Sequence, residues 1–311
     1  MLLARCWASS SAIGRPPATL RRLLSRTPLC DRGGTSNSLT AALCVIGDEI
    51  LSGKTLDVNS FFFAKRCFEL GVEAEKIEVV PDKYAAISSS VQSLSRSHDI
   101  VFTSGGIGPT HDDITYEAVA RAFGNGLEYH ADTLARMRRI MKGKIPDPQG
   151  TPEQVAAARM ALFPATATVV YPCKEYWVPV VSVAGNVHIF PGIPKLFEEL
   201  VDAYLPGLVA GLSGETAVAY VRALVGVCCR ESEIAPILDQ LQERYAPMGV
   251  KIGSYPDWVP KQQPVPAGDT PSSWKPTVVV SVVGKDKQQV TLCQIELCQL
   301  LDGVDLGTSV P

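Results

Sequence analysis

Thirteen residues concentrate the chemistry of this chain: Thr103-Ser104-Gly105-Gly106-Ile107-Gly108-Pro109-Thr110-His111-Asp112-Asp113-Ile114-Thr115. A short apolar run, Ile100 to Thr103, delivers the backbone into three glycines, and a helical pattern opens after them. Successive N–H groups in such a loop form a concavity for an anion, and the start of a helix adds partial positive charge. Glycine suits the position because a Cβ would hold the backbone away from a phosphate. The loop is neither a Walker A motif, having no Gly-Lys-Ser/Thr, nor the Gly-x-Gly-x-x-Gly dinucleotide fingerprint.

Asp112 and Asp113 read in two ways. An Asp at a helix start accepts bonds from orphan N–H groups, so one of the pair is expected to cap. Two carboxylates beside a phosphate nest also suit Mg2+, which takes one or two carboxylates together with phosphate oxygens and water. His111 can hydrogen-bond a phosphate, act as a general acid, or simply be an exposed loop histidine. A second acidic cluster, Gly47-Asp48-Glu49-Ile50-Leu51-Ser52-Gly53-Lys54 with Asp57 and Asn59 behind it, follows the first strand-like run. Open α/β sheets bind ligands beyond the carboxyl ends of their strands, which makes this cluster a site candidate. Its plainer reading is a polar turn, with Asp57 capping the next helix. Pro191-Gly192-Ile193-Pro194 also follows a strand end and reads by default as a rigid loop before a helix. Lys54 and Arg121 read as solvated side chains, and His98, His130 and His188 show no metal-ligand spacing.

The elements that must hold these loops alternate. Leu39–Ile46 is a strand, 56–70 a helix stopped by Gly71, 72–80 a strand, 84–94 a helix, 100–103 a strand and 114–123 a helix. That alternation predicts parallel βαβ units in a doubly wound α/β sheet. Helical patterning from His130 to Met160 is interrupted by a loop over 144–150, and strands at 178–183 and 187–190 turn at Gly185-Asn186. A helix is expected over 195–204 and a linker over 206–214. A small α+β unit follows: strand 217–227, helix 231–245, strands 250–255 and 277–283, helix 287–301. The Pro, Gln, Ser and Gly-rich stretch 261–275 is expected to be a disordered insertion.

Composition narrows the function classes. With 311 residues, 46% hydrophobic and 20% charged, the chain suits a globular protein, and a net charge of −3 gives no attraction for nucleic acid. No stretch is long and apolar enough to imply a membrane partner. Nine scattered cysteines without a CxxC read as reduced and structural. Residues 1–38 carry Arg5, Arg15, Arg21, Arg22, Arg26 and Arg32 against one acid, Asp31, among Ser, Ala and Leu. This is the composition of a transit peptide, so a mitochondrion or chloroplast is the expected destination.

Together these motifs resemble the MoaB/Mog (molybdopterin-binding-like) superfamily, and within it the branch of the CinA N-terminal domain and the N-terminal domain of eukaryotic FAD synthases. The matching residues are Gly47-Asp48-Glu49-Ile50-Leu51 with Gly53, Asp57 and Asn59; the run Gly105 to Thr115; and Phe190-Pro191-Gly192-Ile193-Pro194. Gly253-Ser254-Tyr255-Pro256-Asp257-Trp258 resembles the smaller domain of the FAD synthase branch. The resemblance implies a three-layer α/β sandwich with a mostly parallel sheet over 39–210, a small α+β domain over 211–311, and a homo-oligomer.

It also implies roles. Ser104, Gly105, Gly106, Gly108 and Thr110, with Pro191 and Gly192, would hold phosphate. Asp113, with Asp112, would hold a divalent metal (Mg2+, Mn2+ or Co2+). Asp48, Asp57, Asp113 and His111 would serve catalysis. The implied ligand is a small nucleotide such as FAD or ADP-ribose, or a pterin, and the implied reaction is hydrolysis of a dinucleotide pyrophosphate. A non-catalytic flavin-binding module and molybdopterin adenylylation are the alternatives. The Asn-x-x-Gly-Thr-Ala-Pro-Gly stretch usual in bacterial members is replaced near Tyr171–Glu175. The sequence ends at Pro311 with no adenylyltransferase domain and no Ser-Gly-Gly-Lys-Asp-Ser-like loop, so FAD synthesis by this chain alone is not expected.

Overall fold

In the computed structural model, which describes residues 38–141, 146–213, 218–256 and 276–309, strand β1 (Thr40–Ile46) is buried at every position. Its neighbours are β2 (Glu73–Val80) on one side and β3 (Ile100–Ser104) on the other, both parallel to it. β8 (Val187–Phe190) continues the sheet parallel to β3, and β7 (Val180–Val183) and β6 (Thr168–Val170) complete it as antiparallel neighbours. The order is β2-β1-β3-β8-β7-β6. The sheet is therefore mostly parallel, with an antiparallel edge made by the hairpin expected around Gly185-Asn186. Ala184 and Gly185 lie at φ 55 and 87 there, so the turn depends on left-handed backbone.

Strands buried on both faces need two helical layers, and alternate residues of each strand serve one layer or the other. Ala42, Cys44, Ile46, Val101 and Ile189 pack with Ile87, Val91 and Leu94 of α3 (Tyr84–Ser97) and with Ala118 and Val119 of α4 (Thr115–Ala122). On the opposite face the rings interlock. Phe63 of α2 (Asn59–Glu69) meets Phe102 at 5.5 Å, and Phe197 of α7 (Pro194–Ser213) meets Phe190 at 5.7 Å. The result is a three-layer α/β sandwich. A small sheet of β4 (Leu127–Tyr129) and β5 (Leu162–Pro164) flanks it, with α5 (Ala131–Ile140) and α6 (Pro152–Arg159). Thr151 caps α6 with a reciprocal Gln154 contact.

The linker expected over 206–214 is a correction. Helix α7 continues to Ser213 through Pro206. Proline costs about 3 kcal/mol inside a helix, because it lacks an N–H and crowds the preceding turn. Here the buried stripe Phe197, Leu200, Val201, Tyr204, Leu205, Leu208 and Val209 runs past it at helical spacing, and that burial outweighs the penalty.

The described residues form two compact units, one of 38–66 and 73–213, the other of 67–72 and 218–309. The second holds an antiparallel sheet, β10 (Lys251–Pro256), β11 (Val278–Gly284), β9 (Val221–Val227) and β12 (Val304–Ser309) in that order. Val221, Ala223, Val225, Val227, Val280 and Val282 pack with α8 (Glu231–Tyr245) and α9 (Lys287–Leu301). This is the small α+β domain expected, with an edge strand, β12, that the hydrophobic pattern does not announce. Its Val304, Asp305, Leu306, Gly307 and Thr308 are all exposed. The insertion expected over 261–275 and residues 1–37 of the expected targeting segment lie outside the described residues. Among the described residues no helix is long and apolar enough to cross a membrane.

Candidate functional site

β1, β2 and β3 end side by side, and the loops that leave their carboxyl ends surround a cleft of about 570 Å³. Its lining is Ile46, Gly47, Asp48, Glu49, Ser52, Lys54, Thr55, Asp82, Gly106, Asp112 and Asp113. The volume falls in the range of small-molecule sites, about 300–1,000 Å³.

The loop after β1 is tightly closed. Asp48 and Glu49 open a one-turn helix, α1 (Asp48–Leu51), and Ser52 N–H donates to Asp48 C=O at 2.9 Å. Gly53 takes φ 71, and Thr55 N–H returns to Glu49 C=O at 3.0 Å. The loop after β2 contributes Asp82, whose Oδ2 accepts the Asp48 N–H at 2.8 Å. Burial raises the pKa of Asp82, and the carboxylates of Asp48, Glu49 and Asp112 push the same way, against the opposing bond from the Asp48 N–H.

The glycine loop after β3 folds as its composition requires. Gly105 and Gly106 sit at φ 111 and 65. A Cβ on Gly105 would stand 2.2 Å from Ile46 C=O, and one on Gly106 would stand 2.3 Å from Thr115 Oγ1. Thr115 locks the loop from the start of α4, its hydroxyl donating to Gly105 C=O at 2.8 Å and its N–H to Gly106 C=O at 3.0 Å. Among the described residues the N–H groups of Gly106, Ile107 and Gly108 have no hydrogen-bond partner, which leaves three consecutive donors for an anion.

Asp113 does not cap α4, and neither does Asp112; Ile114 holds the N-cap position. Asp113 instead closes its own turn, its Oδ2 accepting from Thr110 N–H at 2.9 Å and from the Thr110 hydroxyl. Arg159, the last residue of α6, donates to Thr110 C=O at 3.2 Å and fixes that turn from outside.

A buried bracket joins this loop to the next. Asn59 Nδ2 donates to Ser104 Oγ at 2.8 Å and to Gly192 C=O at 2.9 Å, while Gly105 N–H donates to Phe190 C=O at 3.3 Å. A Cβ on Gly192 would lie 3.1 Å from Gly105 Cα. Pro191 and Gly192 thus buttress the glycine loop from behind, and Ser104, 1% exposed, is part of that support.

Of the residues expected at the site, Asp48, Gly106, Asp112 and Asp113 line the cleft, and Gly105, Gly108, Thr110, Ser104, Pro191 and Gly192 shape its loops. Two stand apart from the lining. Asp57 caps α2, accepting from Ser60 N–H at 3.0 Å and from the Ser60 hydroxyl. His111 is 96% exposed on the rim, its Nδ1 3.9 Å from Asp112 Oδ1. Sequence reasoning missed Asp82, whose only signal is a polar residue at a predicted strand's carboxyl end; Lys54, read as solvated, is exposed and also lines the cleft.

The donor set bears on a metal. Among the described residues no three His, Cys, Asp or Glu side chains surround one point. A cation caged by protein alone is thus unsupported, whereas Mg2+ held by one or two carboxylates with phosphate oxygens and water fits the Asp112–Asp113 turn beside the free loop donors.

Residues 42–210 match the family described as "Probable molybdopterin binding domain", and residues 220–306 match "FAD synthase, middle domain". A "Probable FAD synthase" of Caenorhabditis briggsae is 35% identical over 70% of this chain and 43% of its own length. A protein of Pyrococcus abyssi is 32% identical over 70% of this chain and 85% of its own. A crystal structure of the protein CinA from Thermoplasma acidophilum is 30% identical over 56% of this chain and 99% of that one, with a TM-score of 0.48. The chain spans less than half the length of the FAD synthase relatives it matches. The chain belongs to the molybdopterin-binding (MoaB/Mog-like) domain family, and the segment behind that domain is similar to the FAD synthase middle domain.

Proposed function

We propose that the chain hydrolyses the pyrophosphate of a dinucleotide, FAD to FMN and AMP or an ADP-ribose-type compound, with a divalent cation. One observation carries the reading: carboxylates from three adjacent strand ends line one cleft with Gly106 of the glycine loop, whose N–H has no partner among the described residues. A bound Mg2+, Mn2+ or Co2+ would offset phosphate charge and make an attacking water more acidic. Asp112 and Asp113 would hold it. The N–H groups of Gly106, Ile107 and Gly108 would hold the phosphoryl oxygens as charge develops on them.

Asp48 and Asp82 are the carboxylates available to take the proton from water. Its oxygen bonds to one phosphorus, the bond between that same phosphorus and the bridging oxygen breaks, and the departing phosphate keeps the bridging oxygen. Asp57, which accepts from Ser60 N–H in the first turn of α2 and stands outside the cleft lining, is assigned no step in this reaction.

The test incubates the chain lacking residues 1–38 with FAD or ADP-ribose and each metal, following products by chromatography. Metal-dependent release of FMN and AMP that disappears in Asp113→Ala is expected. A second reading is a non-catalytic nucleotide-binding module that uses the same cleft. Binding without turnover under every metal would establish that module instead.

A further inference from the structure

Among the described residues Lys54 is the one basic side chain in the lining of a cleft that also presents Asp48, Glu49, Asp82, Asp112 and Asp113. Its setting is fixed by backbone rather than by charge. The bonds from Ser52 N–H to Asp48 C=O, Gly53 N–H to Ile50 C=O (3.1 Å) and Thr55 N–H to Glu49 C=O hold the chain on both sides of it. Gly53, at φ 71, turns the backbone immediately before Lys54, a conformation that other residues adopt only with strain. Despite five nearby carboxylates, Lys54 forms no ion pair or hydrogen bond among the described residues. An unpaired ammonium held at an acidic wall is a point charge available to an incoming anion.

We propose that Lys54 is a specificity-determining contact of this site, receiving the second phosphate of a pyrophosphate-bearing nucleotide and so separating such ligands from nucleoside monophosphates. The inference rests on the function proposed above and deepens it. A polyanion entering a cleft lined by five carboxylates is repelled unless cations compensate. The Asp112–Asp113 turn and the free glycine-loop donors serve one phosphate from the β3 side. Lys54, on the loop after β1, serves the other.

The test measures binding by calorimetry with the full chain and Mg2+, using ADP-ribose, AMP and adenosine in short cold titrations after which chromatography verifies intact ligand, for the wild type, Lys54→Met and Lys54→Arg. Loss of one charge-assisted contact is expected to weaken ADP-ribose on the order of 10-fold in Lys54→Met and AMP by about 3-fold or less, with adenosine unchanged. Lys54→Arg keeps the charge and should stay within about 3-fold of wild type for every ligand. Added salt should weaken ADP-ribose less in Lys54→Met than in wild type. Where turnover is observed, KM rises and kcat holds.

Equal weakening of all three ligands, unchanged ADP-ribose affinity in Lys54→Met, or a wild type that binds no phosphate-bearing ligand would each overturn the inference. A Lys54-dependent preference for ADP-ribose without any turnover would leave it standing and remove the hydrolytic reading alone.

Discussion

The sheet domain holds two polar clusters built on opposite principles. Between β7, β8 and α7, the side chains of Ser182, His188 and Tyr204 are buried and satisfy one another. Ser182 Oγ lies 2.8 Å from His188 Nδ1, and the Tyr204 hydroxyl lies 3.1 Å from the same nitrogen and 3.2 Å from Ser182. Burial pushes the His188 imidazole down to about 3, so the ring is neutral. In the cleft, by contrast, carboxylates crowd one another, and among the described residues loop N–H groups lack acceptors and Lys54 lacks a counter-ion. Polar groups that complete each other specify a core; polar groups left incomplete at strand ends are set for a ligand.

The contrast breaks first at the glycine loop. Gly105→Ala places a Cβ against Ile46 C=O in backbone that only glycine adopts freely, and a loss of about 3–6 kcal/mol is expected in urea unfolding. Gly53→Ala, with nothing within 4 Å of the added carbon, should cost only about 1 kcal/mol. Equal costs would show that the tight approach at Gly105 is not structural.

The buried cluster should reveal itself through pH. His188 has a folded pKa below its unfolded value, so its neutral form contributes stability that is complete above about 6.5 and is lost as pH falls toward 3. Between pH 6.5 and 5 this amounts to about 1–2 kcal/mol. Unfolding of His188→Gln, though weaker throughout, should lose that part of the slope; an unchanged slope would assign it to other groups.

The smallest effect lies back in the cleft. Asp82 has a raised pKa, so its ionised form opposes folding above that pKa, and the opposition fades as pH falls through it. In chelator at pH 7, Asp82→Asn keeps the acceptor for Asp48 N–H and should stabilise by a few tenths of a kcal/mol, about what solvent screening leaves. The gain should vanish in acid. Destabilisation at pH 7 would mean that the bond from Asp48 outweighs the repulsion.

Much of this was legible beforehand, for definite reasons. Strands such as Leu43-Cys44-Val45-Ile46 are buried on both faces and read as apolar runs, and the glycines at 105 and 106 marked a loop in which a Cβ would be in the way. What escaped depends on partners distant in sequence. Asp82 joins the site only because β2 lies beside β1, which brings it to the Asp48 N–H. Asp57 and Asp113 each looked as suited to a cap as to a site, and the folded turns divide them: Asp57 caps α2, while Asp113 closes the Thr110 turn. Pro206 ended the helix in the sequence because local chemistry says so, whereas tertiary burial carried it on to Ser213. Arg136 was silent too. It donates to the carbonyls of Cys173 and Lys174, within the Tyr171–Glu175 stretch where family resemblance lapses, and to that of Tyr176 just beyond it.

The central claim is that the cleft's excess negative charge is balanced by a cation that arrives with phosphate. Mn2+ binding followed by electron paramagnetic resonance, with and without the non-hydrolysable α,β-methylene-ADP, tests it most directly. The account predicts weak Mn2+ binding to the chain alone, tightening on the order of 10-fold or more with the nucleotide, and loss of that tightening in Asp113→Asn. Mn2+ affinity that is indifferent to the nucleotide, or tightening that survives in Asp113→Asn, would contradict it.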